Sequence, residues 1–211
     1  MIFKDRYYAG SKLAEKLSKY RNTKSVVLAI PRGGLEVGFV ISKKLGLPLD
    51  IILTKKIGHP FNKEYAIGAV SIHGKIITDN SVPEEYIKKE TKRLRDLLKK
   101  MYKTYIGKSQ PLDLKDKNVI ITDDGIATGS TILAAINIVK KNKPKKVIIA
   151  IPVSHTDAIE KIKDESDDIV CLKVDSGLAA IGQYYENFEQ VSDEESIRLL
   201  WEANKNLNKD S

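Results

Sequence analysis

Two adjacent carboxylates, Asp123 and Asp124, are followed by Gly125 and then by a small, hydroxyl-rich segment, Thr128-Gly129-Ser130-Thr131. An apolar run, Val119 to Ile121, leads in, and a helical pattern leads out. This order predicts a buried strand, acids at its C-terminal end, and a loop that opens a helix. A helix start presents unpaired N–H groups and the positive end of a dipole, which suits a phosphate. Carboxylates beside an anion site need a reason, and hydroxyls or a metal on the same ligand supply one. A sugar phosphate has both. A second candidate loop, Pro31-Arg32-Gly33-Gly34, puts a cation in a turn directly after the apolar run Ser25 to Ile30.

The elements that must position these loops alternate. Asp5 to Tyr20 reads as a helix with Tyr8, Leu13, Leu17 and Tyr20 inward. Ser25 to Ile30 reads as a buried strand, followed by a helix to Lys44 that Gly46 stops. A strand over Leu49 to Thr54 runs into Lys55 to Lys63, a basic, Gly- and Pro-punctuated segment that reads as an exposed loop. Tyr65 to Ile72 and Lys75 to Thr78 flank His73-Gly74 as a hairpin. A helix starts near Pro83, with Ser81 as a possible cap, and interrupts the alternation as an insertion or flap. After a linker, Pro111 to Lys117, the pattern resumes: a helix from Ser130 to about Lys143, a strand over Lys146 to Val153, a helix from Thr156 to about Asp164, and a strand over Asp168 to Asp175. Ser192-Asp193-Glu194-Glu195 opens a last helix with acids in its first turn.

The fold class that follows is α/β, a doubly wound and mainly parallel sheet in one domain spanning 1–211. An insertion is expected at about 55–110, and hood elements at about 175–211. Ligands bind such sheets outside the carboxyl ends of the strands, where the strand order reverses. Both candidate loops follow strands, so they are expected on one edge, facing one ligand.

Composition bounds the rest. At 211 residues, 42% hydrophobic and 30% charged, the chain can bury a core of its own. The single cysteine, Cys171, excludes an internal disulfide framework and falls in an apolar run, so it reads as a strand thiol. No signal peptide or membrane span is expected, and a cytoplasmic location is. The net charge of +8 concentrates between Lys88 and Lys108, where Ile87, Leu94, Leu98, Met101 and Tyr105 recur at helical spacing. That is an amphipathic helix with a lysine-rich outer face, and no nucleic-acid signature accompanies it. The P-loop, dinucleotide-binding and nucleophile-elbow patterns are all absent. His59, His73 and His155 lack metal-ligand spacing.

The stretch Val119 to Thr131 resembles the 5-phosphoribosyl-1-pyrophosphate (PRPP) loop of type I phosphoribosyltransferases: apolar residues, two acids, a spacer, then Thr-Gly and further hydroxyls. Ile30 to Gly34 is similar to that family's pyrophosphate loop, and Lys55 to Asn62 occupies its flexible catalytic loop. The segments DRYYAGSKLAEKL and YYENFEQVSDEE extend the similarity to members of unassigned substrate.

The resemblance implies transfer of a phosphoribosyl group to a nitrogen nucleophile, with Mg²⁺ as cofactor, PRPP and an unknown acceptor as substrates, and a homodimer. It assigns the 5-phosphate to Gly125, Ala127, Thr128, Gly129, Ser130 and Thr131, and the ribose hydroxyls or the metal to Asp123 and Asp124. Pyrophosphate goes to Arg32, Gly33 and Gly34, with Lys55 and Lys56 closing over it. Tyr184, Tyr185 and Phe188 would form an acceptor wall. One departure stands out. Hypoxanthine- and guanine-type members carry an acid at the position of Ala127, and alanine cannot handle a base proton. The alternative is a non-catalytic PRPP- or nucleotide-binding regulator, with RNA on the basic helix.

Overall fold

The computed structural model describes residues 2–79, 81–107 and 110–205. Lys108, the expected end of the basic stretch, lies outside them, as do the last residues of the 175–211 segment. Five parallel strands form the main sheet: β1 (Ser25–Ala29), β2 (Leu49–Ile51), β6 (Asn118–Thr122), β7 (Lys146–His155) and β8 (Asp168–Asp175), in the order β2-β1-β6-β7-β8. The short antiparallel sheet holds β3 (Lys55–Gly58), β4 (Ala66–Ser71) and β5 (Gly74–Ile77). The helices are α1 (Arg6–Lys16), α2 (Gly33–Leu45), α3 (Glu84–Ile106), α4 (Ser130–Lys140), α5 (Thr156–Ile162) and α6 (Asp193–Asn204). None of them is long and apolar enough to cross a membrane, among the described residues.

Strands β1 and β6 are buried on both faces, as a parallel sheet covered by helices requires. Alternation then divides the core. Val27, Ala29 and Ile120 join α1, α2, α3 and α6 on one side. Val26, Leu28, Val119 and Ile121 join α4 and α5 on the other. The decisive topological fact lies between β1 and β6. The chain leaves β1 through α2 toward β2, and leaves β6 through α4 toward β7, on the opposite side. The order reverses there, which is the position where sheets of this kind bind ligands.

Several boundaries differ from the sequence expectation. Lys55 to Gly58 pairs with β4 as a strand, because β4, already paired with β5 on its other side, offers a ladder that the lysines can edge; the loop itself begins at His59. Strand β2 ends at Ile51 and α4 at Lys140, both earlier than the apolar patterns suggest. Tyr8 faces solvent, and Arg6, Ala9 and Leu13 take the inward stripe of α1. Ser81 does not cap α3; its N–H bonds Asp79 instead. Gly46 does end α2, in the left-handed region at φ 66°. Ser192 caps α6 by accepting from the Glu195 N–H. Cys171 is a half-buried strand thiol whose pKa burial pushes up to about 11, which makes it a poor nucleophile.

The antiparallel sheet sits between α3 on one side and α4 on the other. Tyr102 of α3 is fixed to the main sheet by donating to both oxygens of Asp50 on β2, at 2.7 and 2.9 Å. Asp50 also accepts from the Leu112 N–H at 3.0 Å. One buried carboxylate therefore ties β2, α3 and the following linker together.

Candidate active site

The two loops meet at the switch point. A Cβ built on Gly33 would lie 1.9 Å from the Asp124 carboxylate, and one on Gly34 would lie 2.9 Å from the Asp123 backbone. No side chain fits there, so glycine is required by the close approach of the Asp123–Asp124 loop and not by torsion. Arg32 precedes them at the start of α2, across a cis Pro31–Arg32 peptide bond. Its guanidinium reaches Asp193 of α6 at 3.7 Å.

The segment after the carboxylates is stitched to β7. The Ile126 N–H donates to the Val153 carbonyl, and the His155 N–H donates to the Ile126 carbonyl, both at 2.9 Å. Gly125 is pressed against Ile181, which a Cβ would meet at 2.6 Å. Gly129 turns the chain at φ 76° and opens α4. No side chain caps this helix, although Ser130 and Thr131 stand beside it, so its first amides remain directed outward. Ala127, Thr128 and Ser130 are exposed, and Lys161 Nζ donates to the Thr128 carbonyl at 3.1 Å. The result is an uncapped helix start beside two acids.

Burial raises the pKa of both carboxyls. Asp123 is pushed well above the usual range by burial and then by the Asp124 charge beside it. Asp124 is raised by burial and partly restored by Arg6. Arg6 is the residue that sequence reading passed over. It is only 6% exposed, and its Nε donates to Asp124 Oδ2 at 2.8 Å. Its Nη1 donates to the Glu189 carbonyl at 2.8 Å and to Glu36 at 3.3 Å. The available signal was an arginine on the inward face of an amphipathic helix, which must find a buried partner.

Tyr185 and Phe188 join this bracket. Their rings stack at 5.0 Å, and the Arg6 guanidinium lies 3.8 Å from the Phe188 centroid. The Tyr185 hydroxyl donates to the Asp124 carbonyl at 2.6 Å. Tyr184 turns away and donates to Asp175 at the end of β8, also at 2.6 Å.

The two lysines separate. Lys56 lines a concavity of about 660 Å³ between the antiparallel sheet and α4, together with Ser130 and Thr131. That concavity borders the uncapped helix and not the carboxylates. Lys55, one position back, is absent from its lining, as strand alternation requires. Lys56 pairs with Glu64 at 2.8 Å. His59 is in the loop after β3, where its Nδ1 accepts from the Phe61 N–H.

This geometry can be set beside known proteins. A family model described as the phosphoribosyl transferase domain matches residues 4–187. The chain belongs to the phosphoribosyl transferase family. Two Mycobacterium tuberculosis proteins, from strains CDC 1551 and H37Rv, are named provisionally as phosphoribosyl transferases. Each is 34% identical over 213 residues, which is 98% of this chain and 48% of the relative. The chain thus spans about half the length of the curated relatives it matches. The crystal structure of a Thermus thermophilus protein is similar at 35% identity and a TM-score of 0.84, covering 96% of this chain and 99% of that one. The matched region of this family runs from just before α1 to just before Phe188. It therefore includes Arg6, both loops and Tyr185.

Proposed function

We propose that this chain transfers the 5-phosphoribosyl group of PRPP to a nitrogen nucleophile, a nucleobase or similar heterocycle, and releases pyrophosphate. The observation that carries this reading is the contact of Gly33 and Gly34 with Asp123 and Asp124. It supports a single crevice bordered by a phosphate cradle, a pair of hydroxyl acceptors and a cationic glycine turn. PRPP has these three parts in that order.

In this reading the amides of Ala127 to Thr131, with the hydroxyls of Thr128, Ser130 and Thr131, hold the 5-phosphate. One charge at a helix start is worth about 0.3–2 kcal/mol, so the converging hydrogen bonds supply the remainder. Asp123 and Asp124 accept the ribose 2- and 3-hydroxyls. Arg6 and Tyr185 hold Asp124 in place for that task. The nitrogen attacks C1 as the C1–oxygen bond to pyrophosphate breaks, and positive charge develops on the ring. The nearby carboxylates favour that charge electrostatically. Arg32 and the Gly33 and Gly34 amides take the negative charge that the leaving group acquires. Lys56 stands on the neighbouring sheet beside the phosphate cradle and excludes water when the loop after β3 closes.

The carboxylates also fit Mg²⁺. Among the described residues no group of three His, Cys, Asp or Glu is gathered, so the protein alone would not cage a metal. Magnesium needs only one or two carboxylates when a phosphorylated ligand and water supply the other oxygens. Two acids with pKa values raised by burial are the groups that a cation would relieve. Bound there, Mg²⁺ would neutralise the charge of the departing pyrophosphate.

The test is pyrophosphate release from PRPP and Mg²⁺ across a panel of purine, pyrimidine and other nitrogen heterocycles. At least one acceptor should give turnover that falls about 100-fold or more in Asp124→Asn, the size expected when a transition-state electrostatic group is lost. Release of ribose 5-phosphate without an acceptor, at the same rate, would point to a hydrolase instead.

A further inference from the structure

The basic helix does more than cover a surface with lysines. Lys88, Lys92, Arg95 and Lys99 follow one another at intervals of four, three and four residues, so they share one stripe of α3. Together with Lys75 of β5, Thr91 and Asp96 they line a pocket of about 380 Å³. The pocket opens on the α3 side of the antiparallel sheet, whereas Ile76 and Thr78, alternate residues of the same strand segment, face the concavity on the α4 side. It is therefore separated by the sheet from the phosphate cradle.

Five cations with one acid in the lining is an unfavourable arrangement by itself, since like charges at these helical spacings repel. Glu84 pairs with Lys88 at 2.9 Å. Among the described residues no ion pair is formed by Lys75, Lys92, Arg95 or Lys99. Two residues of the lining also carry a buried polar atom without a partner among the described residues. Thr91, a residue of the lining, is 5% exposed, and its buried Oγ1 has no partner among the described residues; it does not bond back to the preceding turn. The Arg95 Nε is buried and unpartnered in the same way. A neighbouring cavity that shares Lys99 continues past Tyr102 and Lys103 toward Gln110 and Pro111. A merely solvated helix face has no need of a buried hydroxyl and a buried guanidinium N–H left without partners on neighbouring residues of one pocket. Leaving such groups unpaired costs free energy that a bound acceptor returns.

We propose that this pocket is a second anion site, one that takes a compact oligophosphate. The ligand oxygens would accept from Lys75, Lys92 and Lys99 at the rim, and a small rotation of the Thr91 and Arg95 side chains would bring their unpartnered donors to the same anion. Because Lys75 belongs to β5 and the others to α3, the anion would clasp the sheet that carries Lys56 to the helix beneath it. A pocket of about 380 Å³ with no aromatic in its lining favours a small anion over RNA, which needs a long open track with stacking aromatics. The inference does not depend on the transferase reading.

The test is calorimetric titration of the intact chain with inorganic tripolyphosphate, in the wild type and in three variants. Arg32→Ala removes the candidate pyrophosphate turn, and saturable binding should persist in it. Lys92→Ser combined with Lys99→Ser, both at exposed positions, should weaken binding at least about tenfold, since charge-assisted bonds are the strong ones. Thr91→Val, nearly the same shape, should weaken it about threefold or more with a melting midpoint no lower than that of the wild type, since it removes a buried hydroxyl that has no partner. Binding that is lost in Arg32→Ala alone, or unaltered in the double lysine variant, would overturn the proposal. So would tight binding of a single-stranded RNA oligomer through the same lysines with no saturable tripolyphosphate isotherm.

Discussion

Asp123 and Asp124 are held in a state that costs the free protein stability. Their pKa values are raised, so the folded chain holds their protons more tightly than the unfolded chain does. For a carboxyl raised in this way, the penalty is absent below the ordinary carboxylate range and complete once pH has risen through the folded value. Asp123→Asn removes it. The variant should therefore melt above the wild type at about pH 8, and the gap should close as pH falls toward about 4. Thermal melts across pH check this, and a variant less stable than wild type at every pH would contradict it. Arg6 works in the opposite sense. Arg6→Ala leaves Asp124 and Glu36 buried without their cation, which should cost about 3–5 kcal/mol by denaturant melts. The acids, the glycine turn and the hydroxyl run were legible in the sequence because each motif is continuous. Arg6 was not, because its partner stands 118 positions away.

At the level of elements, the site depends on two connections that leave adjacent strands in opposite directions. The sequence shows the alternation of strand and helix, and hence the sheet. It does not show which strands are neighbours, so the contact between the Gly33 turn and Asp124 had to come from the structure. Gly33→Ala should press on the Asp124 carboxylate. The expected result is a loss of about 1–3 kcal/mol in stability, with activity falling by a larger factor than stability accounts for. Paired melts and initial rates separate the two effects. The segment Lys55 to Gly58 reads as loop from sequence alone for a related reason. Its lysines and glycine look like a loop, yet they edge a strand because β4 provides the partner. Local composition cannot report a ladder made by a neighbour.

At the level of the whole molecule, α3 and the small sheet are joined to the parallel sheet through few polar links, and Asp50 is the most buried of them. Tyr102→Phe should leave that carboxylate short of its hydroxyl donor and cost about 1–3 kcal/mol, read as a melting midpoint lower by several degrees. The same helix carries the cationic pocket proposed as a second anion site. Donor binding is read by calorimetric titration of PRPP in Mg²⁺. Saturable binding is expected in the wild type, with an affinity reduced about tenfold or more by Asp124→Asn and, separately, by Arg32→Ala. Absence of PRPP binding, or binding that neither substitution changes, would contradict it.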